Sequence, residues 1–172
     1  MDKDHFRDNG YCHGSDIFPE VLRGEAVVGN VPSSGKRSVL FLCTHNSCRS
    51  QMAEALMKHT LSDRFEAHSA GIEPSGVDPR ARRVLEELGI ETSSLRSKSA
   101  EEFLDDYIDM VVTVCDRAKE ACPFFPGAGG YMHRSFVDPP DLIGEGIEPL
   151  EAFRRIRDEI EEWLLETFSH LS

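Results

Sequence analysis

The chain has 172 residues, 40% of them apolar and 29% charged, which suits one globular domain with a substantial core and no need of disulfide staples. Its 31 acidic against 19 basic side chains give a formal charge of −12, which argues against nucleic acid and anionic membranes as partners. No secretory segment and no membrane-length apolar run is found, so the expected compartment is the cytoplasm, where the five cysteines are expected to be free, catalytic or metal-binding rather than bridged.

Residues 1–36 are broken by Asn9-Gly10, His13-Gly14, Gly29-Asn30 and Pro32-Ser33-Ser34-Gly35, with Ile17, Phe18, Val21 and Leu22 as their compact apolar group. They read as an N-terminal extension, with at most one short helix docked on the domain that occupies 37–172. His5, Cys12 and His13 lack a fourth partner, so no metal site is assigned there.

The pattern then becomes regular. Residues 38–42 read as a buried parallel strand, followed by a helix carrying Met52, Ala55, Leu56 and His59 at helical spacing. Residues 65–70 form a second strand closed by Gly71, and 78–88 a helix with Val84, Leu85 and Leu88 inward and Gly89 ending it. Ser99 and Glu102 predict a capping box ahead of Phe103, residues 110–114 a strand covered on both faces, and 149–168 a long amphipathic helix buried through Phe153, Ile156, Ile160, Trp163 and Leu164. Strands alternating with helices predict an α/β fold, a central parallel sheet wrapped by helices, with the site at the carboxyl ends of the strands, where Cys43 and Cys115 fall.

Cys43-Thr44-His45-Asn46-Ser47-Cys48-Arg49-Ser50 lies directly after the first strand. A loop turning from strand into helix presents backbone N–H groups that have no helical acceptor, and Arg49 adds a planar fork, so residues 44–50 are expected to bind a tetrahedral oxyanion. Cys43 is the nucleophile, its thiolate favoured by the helix N-terminus and Arg49. Asn46 and Ser50 either donate to the sulfur or hold the loop; His45 has no evident orienting carboxylate and reads as loop-shaping or exposed. Asp138, fixed by the proline after it, is the candidate general acid, with Asp141 a competitor and a plain Asp-Pro turn the alternative.

Cys115 and Cys122 flank a second stretch. If it is helical, its ends are separated by roughly 10.5 Å of rise, whereas a disulfide needs Cα atoms about 4.4 to 6.8 Å apart. Bridging them therefore requires the helix to unwind; the alternative treats both as small buried apolar residues.

Together, residues 43–50, Ser69-Ala70-Gly71, Ser97-Lys98-Ser99, Thr113-Val114-Cys115 through Cys122-Pro123, Asp138-Pro139 and 153–158 resemble thioredoxin-coupled arsenate reductases, which share the fold of the low-molecular-weight protein tyrosine phosphatases. The resemblance spans about residues 37–165 and implies a three-layer sandwich around the parallel sheet. It implies arsenate as substrate, with phosphate or sulfate able to occupy the same loop, no bound cofactor, and thioredoxin as external reductant. It also implies a relay in which Cys43 attacks arsenate with Arg49 and Asp138, Cys115 attacks Cys43, and Cys122 resolves the resulting disulfide.

Three departures accompany it. Some members bind potassium through residues matching Asn46, Glu54 and Ser69 plus an acidic residue that aligns with Lys98, and a lysine there implies weak or absent potassium stimulation. Residues 127–132 are glycine-rich, expected either to move Asp138 over the pocket or to form a flexible connection. The extension has no counterpart. The rival functions are a phosphatase using Cys43, Arg49 and Asp138, with Tyr131 at its entrance, and a non-enzymatic oxyanion or redox sensor.

Overall fold

The computed structural model describes residues 35–171; the apolar group at 17–22 and the trio His5, Cys12 and His13 lie outside the described residues. The elements run β1 (Arg37–Cys43), α1 (Arg49–Thr60), β2 (Phe65–Gly71), α2 (Pro79–Glu86), β3 (Met110–Thr113), α3 (Asp116–Ala121), β4 (Tyr131–His133), α4 (Pro139–Gly144) and α5 (Pro149–Phe168), with a 3₁₀ turn at Ala100–Phe103. All sheet pairings are parallel and the strand order is β2-β1-β3-β4.

Alternation along β1 divides the core in two. Val39, Phe41 and Cys43 join a large cluster with α1, α2 and α5, while Leu40 and Leu42 join a smaller one closed by Ala100, Phe103, Ile108 and Phe125. Burial on both faces explains why β1 reads as a continuous apolar run. The chain leaves β1 toward β2 on one side and returns as β3 on the other, which opens a crevice at the carboxyl ends of β1 and β3.

α5 buries Phe153, Ile156, Ile160, Leu164 and Phe168, with Trp163 half-buried at the edge of that stripe. Arg157, on the same helix, is buried because its guanidinium reaches Val84 O at 2.8 Å and Glu87 at 3.2 Å, tying α5 to the end of α2. Asp78 caps α2, its carboxylate accepting from Arg80 N, and Gly89 follows that helix at φ +76°, a conformation glycine adopts without strain.

Several local expectations are corrected. The capping box at Ser99 and Glu102 forms, but it opens a 3₁₀ turn. His59 is exposed, on the solvent side of α1. β4 and α4 had no predicted counterpart, being three and six residues long, too short to establish a periodicity.

The glycine-rich segment is pinned to the body. Ile108 N donates to Gly127 O and Gly129 N to Ile108 O, and a side chain at Gly127 would collide with the Asp106 carbonyl, one at Gly129 with that of Asp109. Its glycines permit close backbone approach.

Phe153 is fully buried and lies 4.7 Å beneath the Arg80 guanidinium. Phe153→Ala is expected to cost about 3–5 kcal/mol, read as a lowered urea midpoint with an unchanged slope.

Candidate active site

The loop after β1 is shaped by what its carbonyls do. Cys43 O accepts from Ile72 N (3.2 Å), Thr44 O from Glu73 N (2.8 Å), His45 O from Ser75 N (3.1 Å) and Ser47 O from Asp78 N (3.0 Å). Asn46 O is taken by the Gln51 side-chain amide at 3.1 Å. Every carbonyl from 43 to 47 is thus engaged by a donor outside the loop, and Asn46 N is turned onto the Cys43 sulfur. Gly71 lets the strand end approach this closely, since a Cβ there would lie 2.8 Å from Asn46 N and 2.9 Å from Thr44 O.

Asn46 sits at φ +47°, the one non-glycine residue at positive φ among the described residues, and its side chain sustains that conformation. Its amide donates to Ser50 Oγ (2.8 Å) and Ser69 Oγ (2.9 Å), while its oxygen accepts from Gln51 Nε2 (2.9 Å) and Lys98 N (2.7 Å). All four hydrogen bonds are buried.

Cys43 lies at the base, its sulfur 2.8 Å from Ser50 Oγ and accepting from Asn46 N at 3.1 Å. The Asn46 N–H is thus a donor on the sulfur, and the Ser50 hydroxyl is within hydrogen-bonding reach of it. Cys48, at the start of α1, differs: burial, with the charges of Asp78 and Asp138, pushes its thiol up to about 12 against a weaker opposing bond from Ser47. It therefore stays protonated at neutral pH.

A cavity of about 130 Å³ opens above, lined by Cys43, His45, Ser47, Cys48, Arg49, Ser75, Asp78, Asp138 and Pro140. Arg49 is aimed by Phe136 O at 3.0 Å and by Asp138 Oδ2 at 3.1 Å. Asp138 precedes α4 without capping it, so its carboxylate is free to face the pocket, at ψ 124° as a pre-proline residue should be. Asp141 lies in the first turn of α4, exposed and away from the lining residues.

Of the loop residues, His45, Ser47, Cys48 and Arg49 line the cavity, while the side chains of Thr44, Asn46 and Ser50 turn into the protein. His45 is exposed and hydrogen-bonded to Glu73 O at 3.1 Å, consistent with a shaping role. Thr44 reaches the other way, its hydroxyl 3.5 Å from Cys115 Sγ. Cys115 caps α3, its sulfur accepting from Ala118 N at 3.4 Å, and Cys122 follows the last residue of the same helix, half-buried.

Ser75, Asp78, Pro140 and Gln51 belong to the site without having been singled out from sequence. Asp78 carried a signal, as the cap ahead of Pro79, but nothing local tied that cap to an anion pocket. Gln51 carried none. Tyr131, offered as an entrance residue, instead accepts from Phe125 N at 2.9 Å and donates to its carbonyl.

Behind the loop, Glu54 is buried and paired with Lys58 at 2.6 Å and Lys98 at 3.2 Å, and accepts a short hydrogen bond from Ser69. Burial pushes its carboxyl upward, but the Lys58 and Ser69 hydrogen bonds and the Lys98 charge outweigh this and hold it below the usual carboxylate range. Folding lowers its pKa, so Glu54 contributes stability above the ordinary carboxylate pKa that is lost as pH falls through the lowered value. The Lys98 ammonium also donates to Arg96 O at 3.1 Å. These residues do not fit a potassium ion, because two ammonium groups already meet the carboxylate that would hold it.

A cysteine and an arginine in a strand-to-helix loop, on a four-stranded parallel sheet covered on both faces, define the low-molecular-weight phosphatase class. The family profile for Low molecular weight phosphotyrosine protein phosphatase matches residues 38–172, and the chain belongs to that family. Within it, the chain is 43% identical over 125 residues to the arsenate reductase of Halalkalibacterium halodurans, covering 73% of this chain and 90% of that protein. A solved arsenate reductase in its phosphate-binding state superposes with a TM-score of 0.66 at 32% identity, over 79% of this chain and 99% of the other. The thioredoxin-dependent arsenate reductase of Corynebacterium glutamicum superposes with a TM-score of 0.57 at 28% identity, over 78% of this chain and 63% of that one.

Asn46→Ala is expected to lower stability by about 2–4 kcal/mol and to weaken phosphate binding at least tenfold, measured by urea unfolding and titration calorimetry. Replacing sodium by potassium at equal ionic strength is expected to change turnover and melting temperature little; a severalfold rise in activity would contradict the role given to Lys98.

Proposed function

We propose that the chain reduces arsenate to arsenite by a relay of three thiols, with a thioredoxin as the external electron donor. The catalytic unit proposed is 37–172, and the profile match over 38–172 supports that boundary. The observation that carries the reading is the meeting of two buried thiols under one loop: Cys43 at its base and Cys115 against the hydroxyl of the next residue, Thr44. A hydrolytic cycle needs Cys43, Arg49 and an acid, but it has no use for a second thiol in that place.

The Cys43 thiolate attacks arsenic while Arg49 and the loop N–H groups hold the oxyanion's oxygens, and Asp138 delivers a proton to the departing oxygen, which leaves as water. The Cys115 thiolate then attacks Cys43 Sγ. A sulfur–sulfur bond forms, the sulfur–arsenic bond breaks, and its electron pair stays on arsenic, now arsenite. Cys122 attacks Cys115 next, restoring the Cys43 thiolate and leaving a Cys115–Cys122 disulfide for the reductant.

The last step needs movement, because Cys115 and Cys122 flank an intact six-residue helix. α3 is suited to it: Ala118 is its only buried side chain. The aryl group of a phosphate ester has little to rest on in the cavity, whose lining holds no Phe, Tyr or Trp. That supports a small inorganic oxyanion as substrate. The similarity to the arsenate reductase of Halalkalibacterium halodurans supports the same chemistry, and that to the thioredoxin-dependent arsenate reductase of Corynebacterium glutamicum supports the donor.

Cys43→Ser, Cys115→Ser and Cys122→Ser are each expected to stop multiple turnover of arsenate with thioredoxin, whereas slow hydrolysis of an aryl phosphate is lost only in Cys43→Ser. Normal turnover by Cys122→Ser would overturn the relay.

A further inference from the structure

Of the three relay thiols, Cys43 and Cys115 are buried and only Cys122 is partly open to solvent. If the relay operates as proposed, reducing equivalents must enter beside Cys122. The chain around it is unusual for a protein with 29% charged residues: between Glu120 and Arg134 there is no Asp, Glu, Lys or Arg. Ala121, Phe124 and Pro126 are exposed along this stretch, and Phe124, at 76%, is the most exposed large apolar side chain among the described residues.

A solitary exposed phenylalanine usually means little. Phe124 differs in being held. Its neighbour Phe125 is 1% exposed in the smaller core, its N–H donates to Tyr131 Oη at 2.9 Å, and its carbonyl accepts from the same hydroxyl at 3.3 Å. Ala128 N closes a turn onto Phe125 O at 3.1 Å, and Gly127 is fixed against the backbone at Asp106. On the other side Pro123 stiffens the link to Cys122. The ring is thus displayed two residues from the sulfur by a chain whose ordering is already provided by the fold, which lowers the entropic cost of contact with a partner.

We propose that Phe124 is the docking contact for a protein dithiol reductant, seating it against the charge-free strip so that its thiolate reaches Cys122. This rests on the three-thiol relay. The chemistry favours a protein over a small charged thiol, because the strip supplies no cation for the carboxylates of such a thiol and only a broad apolar partner can bury the ring. The partner's thiolate attacks Cys122 Sγ, forming a mixed disulfide and releasing the Cys115 thiolate. The partner's second thiol attacks its own sulfur in that bond and releases Cys122. Two electrons pass from the partner, which becomes a disulfide, and the protons of its two thiols balance those needed by Cys115 and Cys122.

The test compares arsenate turnover driven by reduced thioredoxin with turnover driven by dithiothreitol. Phe124→Ala is expected to raise the KM for thioredoxin about tenfold while leaving the dithiothreitol-driven rate within twofold of native; Phe124→Leu should recover most of the affinity. Leu165→Ala, which removes an exposed apolar side chain from α5, should change neither rate. An unchanged thioredoxin KM in Phe124→Ala overturns the proposal, as does an equal fall in both rates, which would assign the ring to the protein's own rearrangement. A shift from dimer to monomer in Phe124→Ala with unaltered KM would assign the strip to self-association and overturn it too. Cys122→Ser, assayed alongside, separates the outcomes: if that variant keeps thioredoxin-driven turnover, the relay itself fails.

Discussion

The structure depends on where five carbonyl oxygens point. From Cys43 to Ser47 each is drawn outward, four by backbone N–H groups of residues 72–78 and one by the side chain of Gln51. A loop left to itself would turn some carbonyls inward, and an anion would then meet acceptors as well as donors. Here the acceptors are spent on the scaffold, and the pocket is lined by Arg49. Gly71 and the left-handed Asn46 are the backbone conditions for that arrangement, and the buried side chains of Gln51, Ser69 and Ser50 maintain it.

The same arrangement explains how a chain of formal charge −12 can hold an anion. The favourable potential is local, built from oriented dipoles and one guanidinium, and the general negative field acts at longer range where salt screens it. Two carboxylates nonetheless stand at the cavity, and each is already paired, Asp138 with Arg49 and Asp78 with Arg80. Behind the loop the Glu54 carboxylate is likewise met by Lys58 and Lys98. Negative charge near the site is thus compensated residue by residue.

The strands, the long helix and the eight-residue loop were legible in the sequence because each carries a strong local pattern: apolar runs for β1 and β3, a stripe for α5, and cysteine-to-arginine spacing for the pocket. β4 and α4 were not, since three or six residues leave no period to detect. The direction of side chains within the loop was also hidden. Thr44 and Ser47 look equivalent in sequence, yet one faces Cys115 and the other the cavity, a choice made by contacts with β2, α3 and residues 72–78. Glycines at 127 and 129 signalled looseness when read alone; the carbonyls of Asp106 and Asp109 behind them give those positions the opposite meaning.

α3 contributes a single side chain, Ala118, to the core, while the pocket draws its rigidity from β1, β2, α1 and residues 72–78. In the proposed relay, the loop that takes the oxyanion and the helix that carries the resolving thiol are thus separable units joined at Cys115. Exchanging the segment from 116 to 124 would leave the carbonyl-ordered loop intact, and with it the capacity to form a covalent thiol adduct. On such a chassis hydrolysis and reduction are alternative endings to one opening step, selected by whether a second thiol or a water molecule arrives next at the adduct. In the proposed relay that second thiol is Cys115, at the N-cap of α3, so the choice between the two endings lies at the junction of β3 and α3, and the sheet that supports them both can stay as it is.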